Sequence, residues 1–275
     1  MRQRFSPARL LASASLVAMV AVNLGGCTAM SKLSDVTGSV GARAEAAPTD
    51  RAPTDPARAV EVYGERYRAN PKDADAALGY GQALRANGQR AQAAAVLEQA
   101  TIANPGNKAL LAQYGRALAD NGNFQQAYDV LSKAHSPDNP DWRLLSVQGT
   151  ALDQMGRHEE ARSYYASALK IAPGDPGVLS NLGLSYMLSR ELPKAEEALR
   201  QAYASPRANA RVRQNLALVV GLQGRFAEAE TIVKADLPPD QAAANVAYLK
   251  DMLSRSEAPH GAPKRTPVAS LSQSD

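Results

Sequence analysis

Large apolar residues return along the middle of the chain with one long period. Leu84, Leu118, Leu152, Tyr186 and Val220 stand 34 residues apart, and so do Tyr63, Leu97, Leu131, Tyr165, Leu199 and Val233. Small residues keep the same step. Ala59, Ala93, Ala127, Ala161, Ala195 and Ala229 form one register, Gly81, Gly115, Gly149 and Gly183 with Ala217 a second, and Ala100, Ala134, Ala168 and Ala202 a third. A fourth holds Gly88, Gly122, Gly156 and Gly224, with Arg190 in the vacant place. Within one period, Tyr114, Gly115 and Leu118 fall on one face of a first helix. After the turn Asp120-Asn121-Gly122-Asn123, the residues Phe124, Ala127, Leu131 and Ala134 fall on one face of a second.

The pattern predicts five helix-turn-helix units starting near Asp75, Ala109, Arg143, Gly177 and Arg211. A lone helix over 55–69 precedes them, and a final helix over 240–255 carries a single apolar stripe of Val246, Leu249 and Leu253 suited to covering the last unit. Gly115 and Ala127 are small so that antiparallel helices can approach closely, while Leu118 and Leu131 fill the space around them. Gly122 supplies the left-handed conformation that ends a first helix. Pro71, Pro105 and Pro173 close their units, and Pro193 suits the first turn of a helix.

A 34-residue period with these small and large positions resembles the tetratricopeptide family over roughly Asp55 to Arg255, without the usual first-helix Trp. The resemblance implies an all-α, right-handed superhelical solenoid of about five repeats plus amino- and carboxy-terminal capping helices, occupying 55–255. It also implies a protein-binding groove lined by first-helix side chains. Carried over position by position, these are Leu78, Gln82 and Arg85, then Ala112, Arg116 and Asp120, then Ser146, Thr150 and Asp153. Leu184, Met187 and Leu188 follow in the fourth unit, and Gln214, Leu218 and Leu222 in the fifth. The groove so drawn changes from polar to apolar, and its apolar end (Leu184, Met187, Leu188, Leu218, Leu222) is the expected partner-binding surface, with Arg85 and Arg116 in the polar half. Burial of that end under neighbouring helices is the alternative. Co-chaperone members of the family clamp a carboxylate with Lys and Asn in the first unit; Leu78 and Gln82 stand there here, so that role is not implied.

Upstream of the repeats the pattern changes. Arg2, Arg4 and Arg9 precede the apolar run Leu10 to Val22, too short to span a bilayer permanently, and a small-residue stretch then reaches Cys27, the sole cysteine. This reads as an export signal over 1–26. Leu24-Gly25-Gly26-Cys27 resembles the lipobox of bacterial lipoproteins, which implies diacylglycerol on the Cys27 thiol, acylation with palmitate-like chains and a mature amino terminus there. The alternative is an unmodified thiol after an ordinary cleavage site, for instance one ending at Ala29. In that family an uncharged residue after the cysteine, here Thr28, goes with outer-membrane sorting. Residues 27–54 are rich in Ala, Gly, Ser, Thr and Pro and read as a tether with a coil-like reach of roughly 30 Å. Residues 256–275 carry Pro259, Pro263 and Pro267 and no aromatic residue, and read as a disordered tail.

Charge and chemistry narrow the function further. The formal net charge is +4, but the first 26 residues hold three arginines and no acid, which leaves +1 on the rest and little support for nucleic-acid binding. One cysteine excludes an internal disulfide framework. His135, His158 and His260 share no helical spacing and read as scattered, solvated side chains. The adjacent pairs Glu159-Glu160 and Glu196-Glu197 diverge on a helix and read as solvated faces, and Arg207, Arg211 and Arg213 as a wet surface. No phosphate-binding loop, G-x-S-x-G or H-E-x-x-H occurs. The reading is therefore a non-enzymatic protein with protein partners, and with no cofactor, metal or small-molecule substrate.

The segments 181–189 (NLGLSYMLS) and 211–230 (RVRQNLALVVGLQGRFAEAE), behind the lipobox, are similar to the TadD-type repeat lipoproteins of the tight adherence (Tad, or Flp) pilus secretion system. That resemblance implies a periplasm-facing outer-membrane scaffold, or pilotin-like factor, for the secretin and other pilus assembly components. A general envelope scaffold, serving outer-membrane protein assembly or acting as a protease adaptor, is the rival reading. A periplasmic hydrolase with appended repeats is a second rival, disfavoured because no globular segment is left outside the repeats.

Overall fold

The computed structural model describes residues 55–257 apart from Pro137. The signal segment, Cys27, the tether and the tail beyond 257 lie outside the described residues. Those described form twelve α-helices and no strand. α1 (Pro56–Ala69) is followed by five pairs: α2 (Ala74–Ala86) with α3 (Arg90–Ala103), α4 (Lys108–Asp120) with α5 (Phe124–Ala134), α6 (Trp142–Gln154) with α7 (His158–Ile171), α8 (Pro176–Leu188) with α9 (Leu192–Tyr203), and α10 (Ala210–Leu222) with α11 (Phe226–Val233). α12 (Pro239–Glu257) ends the array. Each first helix begins one residue earlier than the apolar pattern suggested. None of these helices is long and apolar enough to cross a membrane.

A further 34-residue register sets those starts. Asp73, Asn107, Asp141, Asp175 and Asn209 precede the five first helices, and each side chain accepts a hydrogen bond from a backbone N–H of the first turn. Such a cap contributes about 1 kcal/mol. The second helices carry no side-chain cap; the inter-helix turn is closed by backbone instead. The N–H groups of Gln89, Asn123, Arg157, Glu191 and Arg225 donate back to Leu84, Leu118, Leu152, Tyr186 and Val220 at 2.9–3.2 Å. This closure needs a left-handed residue just before the donor. Gly122 provides it with φ 85°, and Arg190 is forced into the same conformation with φ 63°.

The core is a continuous seam between paired helices. Leu84, Leu97, Leu131, Leu152, Tyr165 and Leu199 are completely or almost completely buried, as are Ala93, Ala127, Ala161, Ala195 and Ala229. Tyr63 and Tyr186, at the same periodic positions, are half-buried. α1 meets the first unit through an aromatic stack of Tyr67 on Tyr80, ring centroids 5.5 Å apart. α12 seats on the last unit: Leu249 Cδ2 lies 2.5 Å from where a β-carbon on Gly221 would stand, Ala242 is buried, and Val246 packs against the cluster containing Val219 and Val220. Leu253, the third residue of the expected stripe, is half-buried.

Candidate partner-binding groove

First-helix side chains beside the seam form the candidate groove, and the structure divides them into free and engaged residues. Leu184 and Leu188 on α8 and Leu218 and Leu222 on α10 are half-buried, and none belongs to a buried core cluster. Met187 is also half-buried but packs against the cluster of Leu199, Leu216 and Val220, so it belongs to the wall more than to the surface. The floor behind this end is pinned between successive units. Asn181 Nδ2 donates to Ser146 Oγ at 3.1 Å, and Asn215 Nδ2 to Ser180 Oγ at 2.9 Å. Both hydrogen bonds join neighbouring first helices, the second of them fully buried, where satisfied polar pairs fix registry.

The polar half is more heavily committed. Arg85 Nε donates to Asp120 at 2.6 Å and Arg85 Nη1 to Gln113 Oε1 at 3.2 Å, so two of the expected groove residues, Arg85 and Asp120, join the first and second units. Arg116 is different: it is half-buried and makes no hydrogen bond or ion pair among the described residues. Burial lowers its guanidinium pKa and Arg85 and Arg143 add to that shift, while Asp141 and, more weakly, Asp120 oppose it. It remains a cation poor in partners, which is the local requirement for holding an anionic group.

The third unit overturns part of the sequence expectation. Ser146 and Asp153 are buried rather than presented to a partner. Asp153 accepts from Ser185 Oγ at 2.7 Å, from Tyr165 Oη at 2.9 Å and from His158 Nδ1 at 2.9 Å. Thr150 donates to the Ser146 carbonyl, and its hydroxyl oxygen stands 3.3 Å from Tyr165 Oη, whose one proton goes to Asp153. The register placed these residues on the right helix, but their short polar side chains turn into the inter-unit seam because each meets a donor or acceptor there. Burial, and after it the Asp153 carboxylate, drives the Tyr165 phenol far above its ordinary range.

Further expectations are corrected. His158 is bonded to Asp153, and His135 Nε2 to Gln148 Oε1 at 2.9 Å, so neither is a solvated surface histidine. Glu196 is a junction rather than part of a solvated face: it accepts from Arg200 at 2.8 Å, from Gln223 at 2.9 Å and, most closely, from Arg225. Those bonds, that of Arg225 foremost, hold its pKa down at about 2. Arg213, expected on a wet surface, is paired with Asp236. The bonds of Asp153 to Ser185, Glu196 to Arg225 and Arg213 to Asp236 join residues 23–32 apart in the chain, where neither periodicity nor composition announces them.

A family model described as tetratricopeptide repeat matches residues 51–113, 84–146 and 152–213, together more than half of the chain. The chain belongs to the tetratricopeptide repeat family. Its solenoid is shared with solved structures at low identity. One chain of the Cut9–Hcn1 hetero-tetramer of APC/C superposes with TM-score 0.57 at 16% identity, covering 72% of this protein and 40% of that chain. TTC0263, a thermophilic tetratricopeptide protein of Thermus thermophilus, gives 0.57 at 24% identity, covering 65% and 99%. PilF of Pseudomonas aeruginosa gives 0.52 at 18% identity, covering 66% and 92%. The protein thus spans less than half of the Cut9–Hcn1 chain it matches. No curated protein sequence matches it significantly. Tetratricopeptide arrays typically serve as protein-interaction scaffolds, which is the general role this fold supports.

Proposed function

We propose that this tetratricopeptide protein is a lipid-anchored scaffold of the outer membrane, facing the periplasm, whose groove holds a polypeptide segment of the Tad (Flp) pilus assembly machinery. Leu24 to Cys27 and the TadD-like segments support the anchor and the system. The groove reading is carried by one observation: Leu184, Leu188, Leu218 and Leu222 stay half-buried on two successive first helices, while Arg116, two units earlier than the first pair, makes no hydrogen bond or ion pair among the described residues. Apolar side chains left partly open to solvent on neighbouring helices offer a surface that a partner can cover.

The spacing defines the guest. Packed helices lie about 10 Å apart, so three steps from Arg116 to Leu218 span about 30 Å. An extended chain advances about 3.3 Å per residue, which places a carboxylate for Arg116 roughly nine residues from an apolar anchor at Leu218 and Leu222. Such a segment gains its affinity at the apolar end and its register at the arginine.

Purification of the full-length protein from detergent-solubilised outer membranes tests this reading. The secretin or another pilus assembly component is expected to co-purify with the wild type and to be lost with Leu188→Asp and Leu222→Asp, both retaining the helical melt. Co-purification of outer-membrane assembly factors or a protease in its place supports the general envelope scaffold instead.

A further inference from the structure

The direction of α12 decides where the chain leaves the solenoid. Ala242, near its beginning, shares a buried cluster with Val233, the final residue of α11. Lys250 Nζ lies 5.8 Å from the ring centroid of Phe226, the first residue of α11. α12 therefore runs antiparallel to α11 and in the direction of α10, and Leu249 seats it on Gly221 close to the carboxy-terminal end of α10. From Leu249 to Glu257 the helix rises about 12 Å more, so the chain leaves it beyond the turn that joins α10 to α11. Leu218 and Leu222 then lie about 14 Å back along the axis and about 10 Å across from that exit, roughly 17 Å in all.

The sequence after Glu257 matches the apolar end of the groove in spacing and in order. Apart from prolines, Val268 and Leu271 are the only large apolar residues in 258–275. Three residues of extended chain advance about 10 Å, the distance between packed helices, so Val268 set on Leu218 and Leu222 brings Leu271 to Leu184 and Leu188. A chain arriving from α12 also meets α10 before α8, which is the order in which the two residues occur. Proline at 267 biases Thr266 toward extended conformations and cannot continue a helix, so the sequence favours the backbone form that a groove for extended chain takes. Eleven steps from Glu257 to Val268 reach about 18 Å as a coil. That reach equals the span, the condition under which a tethered segment is most concentrated at its site.

We propose that Val268 and Leu271 of this chain occupy the apolar end of the groove when no partner is bound, and that a partner enters by displacing them. The inference rests on the groove reading given above and adds its regulation. Leu184, Leu188, Leu218 and Leu222 are half-buried outside every buried core cluster, so a covering segment reaches them without unpacking the solenoid. A tether that supplies about 1 mM of a segment whose own dissociation constant is about 0.1 mM weakens every competing groove ligand about tenfold. Loose apolar ligands are thereby refused, and a partner with further contacts along the groove is admitted.

The test uses the full-length protein in detergent and a fluorescein-labelled peptide with the sequence of residues 262–273, read by anisotropy. The double variant Val268→Asp, Leu271→Asp is expected to bind the peptide saturably, and the wild type about tenfold more weakly. Adding Leu188→Asp or Leu222→Asp to the double variant is expected to abolish binding while the helical melt is kept. As a second measurement, a photoreactive phenylalanine analogue at Leu271 is expected to crosslink within its own chain to α8, as mapped by mass spectrometry. Equal peptide binding by wild type and double variant overturns the proposal, as does a double variant that binds no peptide, or a Leu271 crosslink found only outside α8 and α10. None of these readings uses a pilus component. Loss of a co-purifying partner from Leu188→Asp and Leu222→Asp, together with equal peptide binding by wild type and double variant, keeps the groove reading and removes this one.

Discussion

Leu131 occupies the space that a β-carbon on Gly115 would need: its Cγ lies 2.5 Å from that position and its Cδ2 2.6 Å. The same relation joins Gly81 to Leu97, Gly149 to Tyr165 and Gly183 to Leu199, each pair 16 residues apart across one turn. Glycine is thus the socket and the residue one helix later the knob, and the pair sets how closely each unit closes. Gly115→Ala brings two opposed effects. Alanine favours a helix over glycine by about 1 kcal/mol, while overpacking a filled core costs about 1–3 kcal/mol. Because Leu131 is completely buried and the collision is at its branch point, the cost is expected to win by roughly 1 kcal/mol, read as a lower denaturation midpoint.

Arg190 offers the opposite outcome. It holds φ 63° in the turn where the other four units have glycine, and Glu191 N–H still closes that turn on Tyr186 O at 2.9 Å. A side chain in this conformation costs about 1–2 kcal/mol, partly offset by the greater freedom glycine has when unfolded. Arg190→Gly is expected to stabilise the array by about 1 kcal/mol, which a thermal melt detects; an unchanged or lower midpoint contradicts this account of the turn.

Acid should loosen the junction between the fourth and fifth units. Glu196 has a folded pKa of about 2 against an ordinary value of 4.5. Its contribution is therefore present above pH 4.5 and is lost as pH falls from there toward 2. Glu191 and Asp236 are lowered as well, chiefly by Lys194 and Arg213 respectively, and act in the same direction. Melting temperatures measured across this window are expected to fall with pH in the wild type and to fall less steeply in Glu196→Gln, whose baseline is already lower.

Lipidation is tested at Cys27. Metabolic labelling with a palmitate analogue is expected to mark the wild type and not Cys27→Ser, and the variant is expected to leave the membrane fraction. Equal labelling of both ends the lipoprotein reading.

The fold was legible because the 34-residue step survives in residues whose size the packing dictates: Leu131 and Ala127 cannot change much without filling or emptying the seam. The Asx register at Asp73, Asn107, Asp141, Asp175 and Asn209 was equally present but escaped a reading built on apolar residues. The groove was legible only to the level of which helix carries which residue. Whether a polar side chain faces a guest or a neighbour depends on partners far along the chain. Arg85 found Asp120, Asp153 found Ser185 and Glu196 found Arg225, while Arg116 makes no hydrogen bond or ion pair among the described residues. Periodicity fixes the phase of a residue on its helix, but it carries no information about that pairing.

The central claim is that the apolar end of the groove holds a partner polypeptide in the envelope, and site-specific photo-crosslinking in living cells tests it most directly. A photoreactive phenylalanine analogue is placed at Leu218, at Arg116 and, as a control, at the exposed Gln99 on α3. The account predicts that Leu218 and Arg116 crosslink to the same protein, identified as a pilus secretin or assembly component, through sites about nine residues apart in its sequence, and that Gln99 does not. A partner that crosslinks as strongly from Gln99 as from Leu218, or none at Leu218 while Gln99 captures one, would contradict it.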